Sequence, residues 1–252
     1  MKTLLKIFFS IFIVMFITFN QNIYAKLQEG FVYLQDIDSS IKQNIIYATS
    51  NNFMGEPAPG YNKAVAILTK KAALALKKVQ DTLKSHGYSL VVFDAYRPER
   101  AVKFFATLPQ KTKLMKNLKD IYFPRVSPEA IFELGYVATK SSHSRGSTVD
   151  VSLIKVDNEF WAKPKVYLRM LADDIKFHYL DYNLEDFGVH IDFFDVSSHH
   201  DSSLVTQKQQ EMREFLKKHM TENGFKPLNN EYWHYTLENE PYPNKYFDFP
   251  IE

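Results

Sequence analysis

The stretch Ser141-Ser142-His143-Ser144-Arg145-Gly146-Ser147-Thr148-Val149-Asp150 decides the fold, because it joins a glycine turn to the start of a predicted strand. Its histidine and aspartate are seven residues apart in the chain. Gly146 lets the backbone turn between them, so that both side chains can reach one point. The serines beside His143 argue against a buried histidine with a purely structural role.

Residues 148–154 alternate in polarity, which predicts a β-strand with Val149, Val151 and Leu153 on one face and Asp150 on the other. Further along the chain, Glu231-Tyr232-Trp233-His234 leads into a second predicted strand at residues 232–237. On a regular strand Glu231 and His234 would lie on opposite faces. A bend or β-bulge is therefore required if both contribute to one site.

Two histidines, one aspartate and one glutamate are the residue types of a catalytic zinc site. Three protein ligands hold the metal, water takes the fourth position, and the remaining carboxylate acts on that water. We assign Asp150 to the metal and Glu231 to the water. The chain has no cysteine, which excludes disulfides, thiolate ligands and a cysteine nucleophile. Any metal must therefore be bound through nitrogen and oxygen.

Residues 1–25 have the layout of a secretory signal peptide, with a basic start and an apolar run at residues 7–19. An uncleaved membrane anchor is the alternative, but this run is shorter than the ~20 residues that a membrane span needs. We therefore expect cleavage, a periplasmic or secreted location, and no stable membrane association afterwards. The mature chain, residues 26–252, is expected to be one domain.

Cleavage would remove two lysines and no acid, leaving 29 basic and 29 acidic residues. This balance argues against a nucleic-acid partner, since nucleic-acid-binding proteins normally carry a basic excess. It favours a small-molecule or cell-envelope substrate. The hydrophobic content of 45% is sufficient for the core of one ordinary globular domain.

Hydrophobic periodicity and turn residues predict the remaining elements. Residues 155–190 are not assigned, because residues 163–177 fit a strand and a helix equally well. The predicted elements are a strand at residues 31–37, a helix at 61–88, a strand at 89–93, helices that start at Pro98 and near Ser127, and an amphipathic helix at 203–224.

Two further features have alternative interpretations. Arg97 follows the strand at residues 89–93, where it could stabilise the negative charge that forms during amide hydrolysis. It could equally form a local ion pair with Asp94 or Glu99, and spacing alone does not separate these roles. The sequence His199-His200-Asp201 could bind a second metal, but adjacent histidines are more often polar loop residues.

Three motifs resemble those of the VanX-type D-alanyl-D-alanine dipeptidases: Asp94-Ala95-Tyr96-Arg97-Pro98, the stretch at residues 141–150, and Glu231-Tyr232-Trp233-His234-Tyr235. The resemblance implies an α+β fold, in which an antiparallel sheet is flanked by helices and a cleft on the sheet holds a single zinc ion (Zn²⁺). It implies the metal ligands His143, Asp150 and His234, with Glu231 as catalytic base and Arg97 as transition-state stabiliser. It also implies that Tyr47, Ser141 and either Asp192 or Asp195 contact the substrate. The segment between Asp150 and Asp192 is longer than expected for that family.

The activity implied by this resemblance is hydrolysis of the dipeptide D-Ala-D-Ala to two D-Ala. One alternative is a peptidoglycan D,D-carboxypeptidase or endopeptidase, which would use the same chemistry on a longer substrate. A second alternative is a catalytically inactive, zinc-stabilised module that binds the cell envelope. The presence of Glu231 and Arg97 argues against that module, because a purely structural zinc site needs neither.

Overall fold

The computed structural model describes residues 27–110 and 118–252, so the expected signal peptide at residues 1–25 lies outside the described residues. The strands are β1 (Phe31–Tyr33), β2 (Lys42–Gln43), β3 (Ile67–Thr69), β4 (Tyr88–Asp94), β5 (Thr148–Lys155), β6 (Lys165–Met170), β7 (Lys176–Asp181), β8 (Phe225–Leu228) and β9 (Glu231–Leu237). The helices are α1 (Leu34–Ile37), α2 (Lys70–Ser85), α3 (Glu99–Phe105), α4 (Pro128–Glu133) and α5 (Gln207–Glu222), and residues 118–122 are also helical.

A five-stranded sheet in the order β2-β4-β5-β9-β8 forms the centre of the fold. All of its pairings are antiparallel except that between β4 and the two-residue edge strand β2. The seven residues Thr148–Ile154 are buried on both faces of β5, as are the last six residues of β4. The α+β prediction is therefore confirmed, and the alternating strand at residues 148–154 lies in the middle of the sheet.

Helix α2 begins later than the predicted start at residue 61. Ile67–Thr69 instead forms β3, which pairs with β1. The Thr69 side chain then accepts a hydrogen bond from the Ala72 amide at 3.3 Å and caps the helix. The apolar spacing of the preceding residues continues the helical pattern, so sequence periodicity alone does not reveal this boundary. Gly87 follows the helix with φ +80°, as its position predicts.

Helix α5 also starts later than predicted, at Gln207 rather than at residue 203. A capping box sets this boundary, with reciprocal hydrogen bonds between Thr206 and Gln209. The predicted strand at residues 31–37 is correct only for Phe31–Tyr33, because the next four residues form α1. The starts of α3 after Pro98 and of α4 after Ser127 agree with the predictions.

The unassigned segment contains a hairpin, in which β6 pairs antiparallel with β7 apart from the central sheet. Phe177 and Tyr179 of β7 are buried, whereas most of β6 is exposed. No helix in the two described ranges is long and apolar enough to span a membrane.

Candidate metal centre and substrate cavity

His143 is positioned by a tight turn that ends at Gly146. It lies on the 3-10 helix Ser142–Arg145, where the Ser141 side chain accepts a hydrogen bond from the His143 amide at 3.3 Å. Gly146 has φ +80°, and a Cβ atom there would overlap the ring of Phe31. Glycine is therefore required at this position for both conformation and space.

The orientation of the His143 ring is set by a backbone contact. Its Nδ1 lies 2.7 Å from the carbonyl oxygen of Ala95, which follows β4. A carbonyl only accepts hydrogen bonds, so Nδ1 carries the proton and Nε2 is left with a free lone pair. This arrangement is the usual one for a metal-binding histidine, whose second nitrogen donates to a neighbouring oxygen.

Strand pairing brings the two other candidate ligands to the same place. Asp150 of β5 is directly opposite His234 of β9 in the antiparallel register. Between β8 and β9 the register shifts, so that Pro227 faces Tyr235 but Leu228 faces Glu231. This irregularity is the bulge expected from the sequence, and it leaves Glu231 Oε2 only 3.5 Å from His234 Nδ1.

Candidate ligand atoms of three residues surround one point. His143 Nε2 lies 3.3 Å from His234 Nδ1 and 3.3 Å from Asp150 Oδ2, and His234 Nδ1 lies 3.2 Å from Asp150 Oδ1. A tetrahedral zinc ion with ligands at about 2.0–2.1 Å would hold them about 3.3–3.4 Å apart. Asp150 Oδ1 is also buried without a hydrogen-bond partner, so a cation fits this donor set.

Within residues 27–110 and 118–252, His143, Asp150 and His234 are the only such group of three that could hold a metal ion. His199-His200-Asp201 does not form a second group in this part of the chain. The ring of His199 instead lies within hydrogen-bonding distance of the Tyr136 hydroxyl, at 3.0 Å. For His199 this contact agrees with the interpretation as a polar loop residue, whereas His200 is buried.

Arg97 forms the local ion pair with Asp94 that the sequence allowed, and it also lies beside the metal group. Its Nε donates to Asp94 Oδ2 at 2.8 Å, and its NH2 lies 3.6 Å from Asp150 Oδ2. The guanidinium lies over the rings of Tyr47 and Phe105, at 4.9 and 5.1 Å from their centroids. Burial alone would lower the pKa of Arg97, but Asp94 and the other neighbouring groups hold it well above its usual value. The local ion pair thus fixes a permanent cation beside the metal group.

Asp94 holds the Arg97 side chain in place. The sequence alone indicates only a local ion pair between these two residues. The second oxygen of Asp94, Oδ1, accepts a hydrogen bond from the Tyr61 hydroxyl at 2.7 Å. Burial raises the pKa of Asp94, and the cation of Arg97 opposes that effect. Tyr61 was not identified from sequence, because it precedes Asp94 by 33 residues and belongs to none of the three motifs.

Asp192 and Tyr47 form a buried pair at the same cavity. The Tyr47 hydroxyl donates to Asp192 Oδ2 at 2.8 Å, and Asp192 adopts a left-handed backbone conformation with φ +62°. Burial, followed by the charge of Asp150, raises the pKa of Asp192 to about 7. Asp195 has a different position, because it caps the 3-10 helix Val196–Ser198 and pairs with Arg125. Of the two aspartates, only Asp192 lines the cavity.

Glu231 is 6% exposed and has no salt bridge to a lysine or arginine among the described residues. Burial raises its pKa well above the usual range, and the charges of Asp150 and Asp192 add to this effect. A carboxyl group with a raised pKa is suited to exchange protons near neutral pH. A divalent cation bound by His143, Asp150 and His234 would favour the ionised form of Glu231.

These side chains line one cavity of about 270 Å³, which is slightly smaller than the usual range of about 300–1,000 Å³ for ligand sites. Aromatic residues that the sequence did not single out form part of its wall. The lining residues include Tyr47, Phe53, Arg97, Tyr136, Ser141, His143, Asp150, Asp192, Phe194, Glu231 and His234.

Comparison with known proteins identifies the family. The family model described as D-ala-D-ala dipeptidase (peptidase M15) matches residues 27–162 and 169–252. A D-alanyl-D-alanine dipeptidase of Enterococcus faecium is 34% identical over 227 residues, which are 90% of this chain and 100% of the relative. The chain belongs to the D-Ala-D-Ala dipeptidase family of metallopeptidases.

Two further D-alanyl-D-alanine dipeptidases are also similar to this chain in sequence. A D-alanyl-D-alanine dipeptidase of Streptomyces coelicolor is 34% identical over 221 residues, covering 88% of this chain and 98% of the relative. One from Escherichia coli is 26% identical over 206 residues, covering 82% of this chain and 81% of the relative. The family match is interrupted at residues 163–168, within the segment that the sequence analysis found unusually long.

Proposed function

We propose that this protein hydrolyses D-Ala-D-Ala to two D-Ala, using one zinc ion held by His143, Asp150 and His234. Two D-alanyl-D-alanine dipeptidases, which align over about nine-tenths of the chain, support the substrate. The observation that carries the proposal is the cavity itself, where the metal-binding group and the Tyr47–Asp192 pair lie together. Nitrogen and carboxylate ligands at tetrahedral spacing favour zinc.

A zinc ion bound there would supply Lewis-acid chemistry and lower the pKa of a bound water to about 7. Glu231, next to His234, is placed to accept the proton of the attacking water. It would then transfer this proton to the amine that leaves as the C–N bond breaks.

Arg97 has the role of stabilising negative charge on the carbonyl oxygen. Its cation is held by Asp94 and by two aromatic rings, so little reorganisation is needed when the charge forms. Asp94 and Tyr61 act through Arg97 and are positioning residues.

Asp192 is proposed to bind the free ammonium group of the dipeptide, with Tyr47 holding its carboxylate in place. Its burial makes a neutral, N-acylated substrate costly to bind, because the carboxylate would be left without a cation. Ser141, whose side chain caps the turn that carries His143, also lines the cavity and is proposed to contact the substrate. This arrangement favours a free dipeptide over a longer peptidoglycan stem.

We also propose that the protein is exported to the periplasm or secreted, as the basic and apolar leader at residues 1–25 indicates. N-terminal sequencing of the protein from a membrane-free cell-envelope fraction tests this point. A chain that still starts at Met1 would contradict cleavage.

The test of the activity is to incubate the zinc-loaded protein with D-Ala-D-Ala and measure free D-Ala, with Glu231→Gln as an inactive control. N-acetyl-D-Ala-D-Ala is the second substrate. Release of D-Ala from the free dipeptide only is the expected result. Hydrolysis of the acetylated substrate at a similar rate would indicate a carboxypeptidase, and wall binding without hydrolysis of either would indicate a binding module.

A further inference from the structure

His234 uses its two ring nitrogens for different contacts. Its Nδ1 faces the other candidate ligands, at 3.3 Å from His143 Nε2 and 3.2 Å from Asp150 Oδ1. Its second nitrogen, Nε2, lies 3.3 Å from the hydroxyl oxygen of Ser142. In the described part of the chain this hydroxyl is the only hydrogen-bond partner of His234 Nε2. Ser142 therefore contacts a candidate ligand without belonging to the metal group itself.

A metal ion bound through Nδ1 determines which way this hydrogen bond runs. The ion takes the lone pair of Nδ1, so the proton of the neutral ring is carried by Nε2. The Ser142 oxygen has lone pairs and accepts the hydrogen bond that Nε2 then donates. A donated bond of this kind orients a metal-binding histidine and makes its ring a stronger ligand.

The two histidines of the metal group are held by different kinds of partner. His143 donates to the backbone carbonyl of Ala95 at 2.7 Å, and its side chain is 1% exposed. The His234 side chain is 13% exposed, and its partner is a half-buried hydroxyl at a longer distance. A backbone carbonyl is fixed by the main chain, whereas a serine hydroxyl also depends on its side-chain rotamer. The support of His234 therefore depends on a single side chain.

Ser142 is placed for this contact by the turn that also carries His143. It is the first residue of the 3-10 helix Ser142–Arg145, which the Ser141 side chain caps at its start. Gly146 ends the same helix in a left-handed conformation, with φ +80°. The backbone of this short turn is thus fixed at both ends. It supplies one ligand directly and supports the other, which comes from β9.

We propose that Ser142 is a positioning residue, which holds the His234 ring in the orientation that binds the metal. The proposal rests on the metal site of the proposed function, but not on the identity of the substrate. Ser144, on the same turn, provides a matched comparison. Its hydroxyl is buried and has no hydrogen-bond partner within residues 27–110 and 118–252. Removing that hydroxyl should leave the metal group unchanged.

Competition with a chromogenic zinc chelator tests the proposal. Ser142→Ala should bind zinc about 10–100-fold more weakly than the wild type, which is the usual cost of removing a residue that orients a metal-binding histidine. Ser144→Ala should bind zinc as the wild type does. Ser142→Thr keeps the hydroxyl and should recover most of the affinity. Circular dichroism melting in EDTA checks that each variant is folded without the metal.

Nuclear magnetic resonance supplies a measurement that requires no substitution. Long-range proton–nitrogen correlation spectra of the zinc-loaded wild type should show His234 with its proton on Nε2. Because this proton is hydrogen-bonded to Ser142, its exchange with water should be slow. Exchange should become faster in Ser142→Ala but not in Ser142→Thr. A residue that only stabilised the turn would leave this signal unchanged.

Three results would overturn the proposal. Zinc affinity in Ser142→Ala equal to that of a wild type that binds one zinc ion would exclude the positioning role and leave the proposed metal site intact. A loss of affinity in Ser144→Ala or Ser142→Thr equal to that in Ser142→Ala would assign the effect to the turn rather than to the hydroxyl. A wild type that binds no zinc, or that keeps the His234 proton on Nδ1 when zinc is bound, would contradict the metal site as well.

Discussion

Replacing Asp192 by asparagine should stabilise the metal-free protein while abolishing its activity. Asp192 is 4% exposed, and its pKa is raised to about 7, compared with about 3.9 in an unfolded chain. Between these values the folded state binds more protons than the unfolded state. The free energy of unfolding therefore falls as pH rises, until the folded carboxyl group is ionised above pH 7.

The size of this effect follows from the two pKa values. A gap of about three pH units corresponds to about 4 kcal/mol of unfolding free energy above pH 7. Asp192→Asn removes the buried charge, and its amide oxygen can still accept the Tyr47 hydrogen bond. We expect a net gain of about 2–4 kcal/mol at pH 8, or about 5–10 °C in melting temperature. At pH 5 the gain should be smaller by about 2–3 kcal/mol, because the wild-type carboxyl group is then protonated in the folded state.

The assay is thermal and urea unfolding of both proteins in EDTA at pH 5 and pH 8. EDTA is needed because a divalent cation nearby favours the carboxylate and reduces the difference. With zinc restored, the variant should lose about 30-fold or more in kcat/KM for D-Ala-D-Ala, since the substrate ammonium group loses its buried partner. A variant that is no more stable than wild type at pH 8, or equally stabilised at both pH values, would refute the reasoning.

Four further changes test other parts of the site. Glu231→Gln should lower kcat about 10²–10⁴-fold with unchanged zinc content, measured by steady-state kinetics and metal analysis; loss of zinc would contradict its role as a base. Arg97→Lys should lower kcat about 10²–10³-fold with little change in KM, and an equal rise in KM would point to substrate binding instead. Gly146→Ala should lower the unfolding free energy by about 2–4 kcal/mol, since it needs φ +80° and overlaps Phe31; a melting temperature within 2–3 °C of wild type would argue against that requirement. EDTA should lower the melting temperature of the wild type, with recovery on adding zinc, whereas His143→Ala should not respond.

The structure brings together the three residues predicted as metal ligands, and for two of them, His143 and Asp150, the determinants are local. The glycine turn and the alternating strand at residues 148–154 fix His143 and Asp150 relative to each other. The need for a bulge between Glu231 and His234 followed from strand geometry alone. The bulge forms where the pairing partner on β9 changes from Tyr235 to Glu231. This change depends on β8, so its position cannot be predicted from the sequence.

Other features depend on tertiary contacts that leave no local signal. The start of α2 was misplaced, because β3 exists only through pairing with β1. The hairpin was not assigned from the sequence, because β6 carries apolar residues on an exposed face. Its apolar pattern therefore does not indicate which residues are buried. The choice between Asp192 and Asp195 also required the structure, in which a hydrogen bond from Tyr47 and an ion pair from Arg125 separate the two.

The measurement that bears most directly on the proposed mechanism is a crystal structure with anomalous diffraction at the zinc edge, combined with metal analysis of the same preparation. We predict one zinc ion per chain, bound by His143 Nε2, Asp150 and His234 Nδ1, with Glu231 close by but not coordinated. A zinc ion held by other residues, or direct coordination by Glu231 in place of Asp150, would contradict the account.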